Sequence, residues 1–282
     1  MIKISFGMIV FNAQSILPPN MLGACLANVY DVAHEILISE GAVRPYGGNN
    51  GDATWASRDG SSTDGTLEFI RNFPDPEKKI KIFTKEGYWD GKLEMCNAYA
   101  SAATGDYVWQ LDSDEFYKKR DMKRIINYLN NNQDIESVHF YANHFWGGWD
   151  HCCDENSGRN WANQIPWMRI FKNEKGSSWK SHAPPIYQNS SGTVMGSKIL
   201  DRDTTLGFGI KLYHYGYVVR SQVEFKQQYY NGGRDSQLIN LWDEWQKNKE
   251  TPLINNDISS PFIDRHPDII VDLKEGKNVW SA

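Results

Sequence analysis

Three carboxylates fall within four positions at Asp112-Ser113-Asp114-Glu115, directly behind the run Tyr107-Val108-Trp109-Gln110-Leu111. A largely apolar, aromatic run of that length reads as a buried strand, so the acids stand where a strand gives out. Two carboxylates about 4 Å apart repel by on the order of 4 kcal/mol at an effective dielectric near 20. A divalent cation removes that cost, and hard cations prefer oxygen ligands of this kind. A solvated turn is the plain alternative, because acidic residues commonly follow strands. The chemistry on offer is cation binding at the carboxyl end of a strand.

The elements that must position these acids follow from the apolar spacing. Ile2 to Phe11 reads as a buried strand ending at Asn12, and a helix from about Asn20 carries Leu22, Cys25, Leu26 and Val29. A second strand runs from His34 to Glu40-Gly41, and the Gly- and Asn-rich stretch from Arg44 to Ser57 reads as an inserted loop. Asp59-Gly60-Ser61-Ser62-Thr63-Asp64-Gly65-Thr66 offers several N-caps to a helix with Leu67 and Ile70. Lys79 to Thr84 is a third strand. The next helix places Leu93, Cys96, Ala100 and Ala103 on one face, with Gly105 as its C′ residue. After the acidic cluster, Met122, Ile125, Ile126 and Leu129 mark another helix.

Strand and helix alternating in this way predict a parallel sheet covered on both faces. In open α/β sheets, ligands sit beyond the carboxyl ends of the strands. Asn12, Glu40 and the 112–115 cluster are the polar residues at those ends. From Ser137 to Leu212 the chain turns strand-like and loop-rich, with Trp146, Trp149, Trp161, Trp167 and Trp179 scattered through it. The last predicted helix holds Leu238, Leu241, Trp242 and Trp245.

Composition removes other classes. The 282 residues carry 30 Lys+Arg against 35 Asp+Glu, a formal charge of −5, which argues against nucleic acid or an anionic membrane as a sequence-independent partner. Four cysteines in a chain this long do not make a disulfide scaffold, and CxxC spacing for zinc is missing. A soluble protein in a reducing, cytoplasmic setting is expected, with no signal peptide and no transmembrane segment. Aromatic residues make up 13% of the chain, enough for stacking platforms as well as core.

The ordered set of these motifs resembles the GT-A glycosyltransferases of the family-2 type. The resemblance covers residues 3 to about 117: a strand and Asn12, a strand and an acidic residue with Gly, Asp59-Gly60-Ser61-Ser62-Thr63-Asp64-Gly65-Thr66, Asn97, and Gly105-Asp106-Tyr107-Val108-Trp109-Gln110-Leu111-Asp112-Ser113-Asp114. It implies a single GT-A-like α/β domain over 1–282. Within it, 1–117 forms a nucleotide-binding half, and 118–282 forms an acceptor half with a C-terminal helix. It implies a nucleoside diphosphate sugar donor (a UDP-sugar favoured), a glycan or other hydroxyl acceptor, and Mn2+ or Mg2+ bridging the diphosphate to the Asp-x-Asp motif. Asp112 would approach the ribose and the metal, and Asp114 would ligate the metal directly. Asn12 would line the nucleotide pocket. The acidic partner of the base is Glu40 or Asp59, which the insertion separates; Glu40 follows its strand directly and is favoured.

In the second half, Lys211-Leu212-Tyr213-His214-Tyr215-Gly216-Tyr217 resembles the late histidine segment of such enzymes, which makes His214 the candidate to complete the metal shell. Trp179-Lys180-Ser181-His182 resembles their tryptophan-to-histidine segment near the acceptor. Trp146-Gly147-Gly148-Trp149 reads either as a flexible stacking loop or as a loop anchored in the core. An inverting enzyme needs a base for the acceptor hydroxyl, and by position Asp150, Asp154 and Glu155 are candidates beside His182. A sugar-phosphate nucleotidyltransferase is a weaker alternative, because Phe11-Asn12-Ala13-Gln14-Ser15 lacks a basic, Gly-rich phosphate loop. A non-catalytic carbohydrate-binding protein on the same scaffold is the other.

Overall fold

The computed structural model describes residues 1–44, 57, 59–153, 163–164, 166–229, 237–248, 259–277 and 279. Its first half alternates as the apolar spacing predicts: β1 (Ile4–Val10), α1 (Ala13–Ile16), α2 (Met21–Tyr30), β2 (Glu35–Glu40), α3 (Thr66–Arg71), β3 (Ile80–Phe83), α4 (Lys92–Ala102) and β4 (Tyr107–Gln110). β5 (Glu115–Phe116) and α5 (Lys119–Asn131) lead into a strand-rich stretch of β6 (Ser137–Phe140), β7 (Ala142–Trp146), β8 (His151–Cys153), β9 (Trp167–Lys172), β10 (Ser178–Ser181), β11 (Ile186–Gln188) and β12 (Ile199–Leu200). Then come α6 (Arg202–Gly207), β13 (Leu212–Tyr217), α7 (Arg220–Tyr229), α8 (Leu238–Asn248), β14 (Ser260–Pro261) and α9 (Asp268–Lys274).

Among the described residues, the main sheet has seven strands in the order β12-β6-β9-β4-β1-β2-β3. Every neighbouring pair is parallel except the two that involve β9. The fold class is therefore the expected one: α/β, a mostly parallel sheet flanked by helices, with a mixed second half. Because β9 runs backwards, its first residues lie beside the last residues of its neighbours. Phe140 pairs with Trp167, and Trp109 with Ile170. A second sheet, β14-β8-β7-β13-β5, stands after the end of β4.

Aromatic residues build much of the core between these layers. Phe6 stacks on Trp109 at 5.1 Å between ring centroids, and Tyr117 meets Trp109 edge-on at 4.9 Å. Each such side chain stabilises by roughly 1.5–3 kcal/mol through area removed from water. α4 rests on β1 because residue 7 is glycine; a Cβ there would lie 2.2 Å from the Tyr99 ring.

Several expectations are corrected. Gly105 is not the C′ residue of α4, which ends on extended Ala103. Residue 105 is instead glycine because a Cβ would sit 2.7 Å from the Ser5 backbone nitrogen. Leu93 is 38% exposed, and the buried face of α4 is Met95, Cys96, Tyr99 and Ala100. The last described helix is α9, not the tryptophan-bearing α8. All four cysteines are buried. Among the described residues, no helix is long and apolar enough to cross a membrane.

Candidate functional site

The register of the second sheet assembles the site. β13 lies between β5 and β7, so His214 is the cross-strand partner of Glu115 on one side and of His144 on the other. The Tyr215 N–H donates to the Asp114 carbonyl at 2.8 Å, which fixes the acidic turn against β13. In this arrangement His214 Nε2 lies 3.4 Å from Asp114 Oδ1, and Lys226 Nζ of α7 lies 3.6 Å from Asp114 Oδ2. Burial alone raises the Asp114 carboxyl, but His214 and Lys226 hold it well below the usual carboxylate range.

The neighbouring acid is neutralised differently. Glu115 is buried and accepts three hydrogen bonds from Arg169 of β9, between 2.5 and 3.1 Å. Burial pushes the Glu115 carboxyl up and the Arg169 guanidinium down, and their contact opposes both; Arg169 stays protonated. The same guanidinium lies 3.5 Å from Asp112 Oδ2. The repulsion within the acidic cluster is thus relieved by protein cations brought from the second half of the chain.

A cavity of about 650 Å³ opens at the carboxyl ends of β1, β2 and β4. Phe11, Gly41 and Val43 form one side, and Asp112, Ser113 and Asp114 the floor. Trp167, Arg169, His182, His214, Phe225 and Lys226 close it from the second half, with Lys92 from the start of α4. His182 Nε2 is buried with no hydrogen-bond partner among the described residues. Burial, followed by the charge of Lys92, pushes His182 down to about 4.

Four of the sequence-derived residues line this cavity: Asp112, Asp114, His182 and His214. Asn12 and Glu40 do not; they tie the strand ends to the Asp-Gly-Ser-Ser-Thr loop. Asn12 Oδ1 accepts from the Thr63 N–H at 2.8 Å, and the Asn12 N–H donates to Ser62 Oγ at 2.9 Å. Glu40 accepts from the Ser62 N–H at 3.0 Å. Asp59 lies outside the cavity as well, capping its own turn through Ser61. Asp150 is exposed and paired with Lys274 at 2.8 Å, away from the cavity lining. Asp154 and Glu155 lie outside the described residues, as does most of the 44–57 insertion.

The Trp146-Gly147-Gly148-Trp149 stretch is a core anchor. Trp146 is buried against Tyr217, with centroids 5.0 Å apart, and Trp149 packs on Tyr215 at 5.3 Å. Gly147, at φ +72°, makes room for α8: a Cβ there would sit 2.2 Å from the Trp245 ring.

The trio Asp112, Asp114 and His214 is not drawn together as a three-ligand metal centre. Among the described residues, no three His, Cys, Asp or Glu side chains are placed to share one ion, because Asp112 faces Arg169. Asp114 and His214 bring a carboxylate oxygen and an imidazole nitrogen within 3.4 Å of each other; the carboxylate suits Mg2+ or Mn2+, whose shell substrate phosphates and water can complete. Of the residues that line the cavity, sequence reasoning did not single out Trp167, Arg169, Lys92 or Lys226. The signal for Arg169 was topological: only the reversal of β9 brings it to the carboxyl edge.

Residues 55–190 match the sequence model of Glycosyl transferase family 2. A Haemophilus influenzae protein described as an uncharacterized glycosyltransferase is 29% identical over 139 residues, which is 49% of this chain and 47% of that one. The chain thus spans about half the length of that curated relative. Two solved structures are also similar. S. aureus TarS 1-349 in complex with UDP is 19% identical at a TM-score of 0.35, covering 51% of this chain and 36% of that one. The mannosyltransferase PcManGT from Pyrobaculum calidifontis in complex with GDP-Man and Mn2+ is 14% identical at 0.37, covering 61% and 44%. The likeness of this chain to glycosyl transferase family 2 thus runs from residue 55 to residue 190 and takes in the Asp112-Ser113-Asp114 turn.

Proposed function

We propose that this chain transfers a sugar from a nucleoside diphosphate sugar, with a UDP-sugar favoured, to a hydroxyl of a glycan or other acceptor. The observation that carries the reading is the cavity at the strand ends, where Asp112, Asp114 and His214 share one space with Lys92, Arg169 and Lys226. Such a site is suited to a ligand that is both hydroxyl-rich and polyanionic. Residues 1–117 hold the nucleotide within a single domain over 1–282, and the second half contributes cations at the diphosphate as well as the acceptor side. Four cysteines in 282 residues, too few for a disulfide scaffold, support a cytoplasmic setting.

In the transfer, the acceptor oxygen bonds to the anomeric carbon while the bond from that carbon to the phosphate oxygen breaks. The nucleoside diphosphate leaves, and the acceptor proton passes to a base. His182 is the base candidate on the cavity wall, with Nε2 available. Burial first, then Lys92 and Arg169, depress its basicity. A diphosphate bound against those cations offsets their share of that effect. When bound at Asp114 and His214, Mn2+ or Mg2+ supplies charge compensation for the leaving group.

A thermal-shift screen of nucleoside diphosphates, with and without Mn2+, tests the reading. Saturation at 100 times Kd adds about 2.7 kcal/mol, roughly 5–10 °C for a chain of this size. No shift with any nucleoside diphosphate overturns the proposal. Turnover of a donor must release the nucleoside diphosphate. Pyrophosphate release instead would identify a nucleotidyltransferase, and sugar binding without turnover a carbohydrate-binding protein.

A further inference from the structure

Resting on that reading, we infer that Lys226 is an exchangeable internal cation: it pairs with Asp114 and moves to the donor diphosphate when a divalent ion takes the carboxylate. Three observations converge on it. Lys226 Nζ stands 3.6 Å from Asp114 Oδ2, on the oxygen not facing His214. It is anchored meanwhile by donating to the Gly216 carbonyl at 2.7 Å and by lying 4.3 Å above the centre of the Tyr217 ring. Both Lys226 and Asp114 line the cavity.

Residue 216 itself shows how closely the His214 and Lys226 side chains are fitted. A Cβ on Gly216 would sit 2.7 Å from His214 Nε2 and 2.7 Å from Lys226 Nζ. Glycine is therefore the residue that lets the imidazole and the ammonium reach the same carboxylate. A buried carboxylate without a counter-charge is costly, and the Lys226 ammonium 3.6 Å away supplies part of that counter-charge. A divalent ion on the same carboxylate repels the ammonium. The lysine stem has four rotatable carbons and a compact charge, so the head can leave Asp114 without moving α7. A diphosphate in the cavity gives it a new anionic partner. Lys226 thus competes with the metal and cooperates with the nucleotide.

The opposite signs make the test sharp. Wild type, Lys226→Met and Lys226→Arg are titrated with Mn2+ alone, followed by the free Mn2+ signal in electron paramagnetic resonance. They are then titrated with UDP in excess EDTA by calorimetry. Lys226→Met is expected to bind Mn2+ alone at least 5-fold more tightly and UDP without metal at least 10-fold more weakly. Lys226→Arg stays near wild type in both. Mn2+ affinity in Lys226→Met that is equal or lower overturns the exchange, as does unchanged UDP affinity in EDTA when wild type binds UDP. Wild type that binds no nucleoside diphosphate under any condition overturns the functional reading instead, and the Mn2+ titration then decides the competition at Asp114 on its own.

Discussion

His144 Nδ1 and His214 Nδ1 stand 2.8 Å apart on adjacent strands, their rings nearly perpendicular at 77°. One nitrogen must donate and the other accept, so the two rings cannot both be imidazolium. Burial first, then the charge of His214 and Lys226, holds His144 well below the usual histidine range. His144 is therefore the neutral partner. In the tautomer where His144 Nδ1 accepts, His214 carries its proton on Nδ1 and turns the Nε2 lone pair toward Asp114, the form that a metal ligand needs.

This makes His144 a positioning residue for the Asp114–His214 pair. His144→Phe keeps a ring of similar size but removes the Nδ1 acceptor. Mn2+ affinity at saturating UDP should fall about 10-fold, the scale of losing a group that orients a metal ligand. Calorimetry checks it, with the melting temperature as a control for packing. An unchanged Mn2+ affinity would show that His214 needs no such support.

Asp112 and Asp114 should separate experimentally, although both belong to one motif. Asp114→Ala is expected to abolish the Mn2+-dependent part of the UDP thermal shift. Asp112→Asn should retain it, because Asp112 faces Arg169 at 3.5 Å rather than the Asp114–His214 pair. Equal loss in both variants would mean that the two carboxylates ligate together.

Glu115 and Arg169 form the buried tie between the two sheets. Removing one partner leaves an uncompensated charge, at a cost of about 3–5 kcal/mol, so Glu115→Gln and Arg169→Met should each lower Tm by roughly 8 °C or more. The double variant should lose less than the sum of the two. Additive losses in a denaturant double-mutant cycle would refute the coupling.

The tryptophans divide by position rather than by neighbouring sequence. Trp167 lines the cavity beside Arg169, whose guanidinium lies 4.9 Å from its ring centre. Trp146 is buried in packing. Trp146→Ala should cost about 3–5 kcal/mol of stability and leave UDP affinity per folded molecule unchanged. Trp167→Ala should weaken UDP-sugar binding severalfold with a smaller change in Tm. The reverse pattern would restore the stacking-loop reading of the Trp-Gly-Gly-Trp stretch.

The first half was legible because its elements are periodic and contiguous. Met122, Ile125 and Leu129 recur at helical spacing and are all buried, and Asp112 and Asp114 follow directly from a strand end. The partners of those acids were not legible in the same way. Arg169 reaches Glu115 only because β9 runs antiparallel to β4, and sequence does not show the direction of an isolated strand. Glu40 shows a related limit: a carboxylate after a strand marks the edge of the sheet, but its hydrogen bond from the Ser62 N–H of the neighbouring loop is not written in the spacing. The glycines of Trp146-Gly147-Gly148-Trp149 suggested flexibility, whereas Gly147 admits a ring from α8 that lies about a hundred residues away in sequence.

Glu35 sets the acid limb of stability far from the site. At the start of β2 its Oε1 accepts from Ser5 Oγ at 2.7 Å and from the Thr104 N–H at 2.6 Å, and its Oε2 accepts from Lys81 Nζ at 2.7 Å. Burial pushes this carboxyl up, but Lys81, Ser5 and Thr104 together bring it down to about 2, against 4.5 for the free group. Between those values the unfolded chain binds more protons than the folded one, so stability rises with pH there. The contribution is complete above pH 4.5 and is lost as pH falls toward 2. Its size is about 2 kcal/mol after allowing for the half-exposed Lys81. Glu35→Gln keeps the shape and removes the charge, so it should be less stable than wild type by about that amount at pH 7. The gap should close as pH falls from 4.5 to 2.5, which urea unfolding at pH 7, 4.5, 3.5 and 2.5 would follow. A gap that stays constant across that range would mean that the loss at pH 7 comes from altered hydrogen bonding and not from the carboxylate charge.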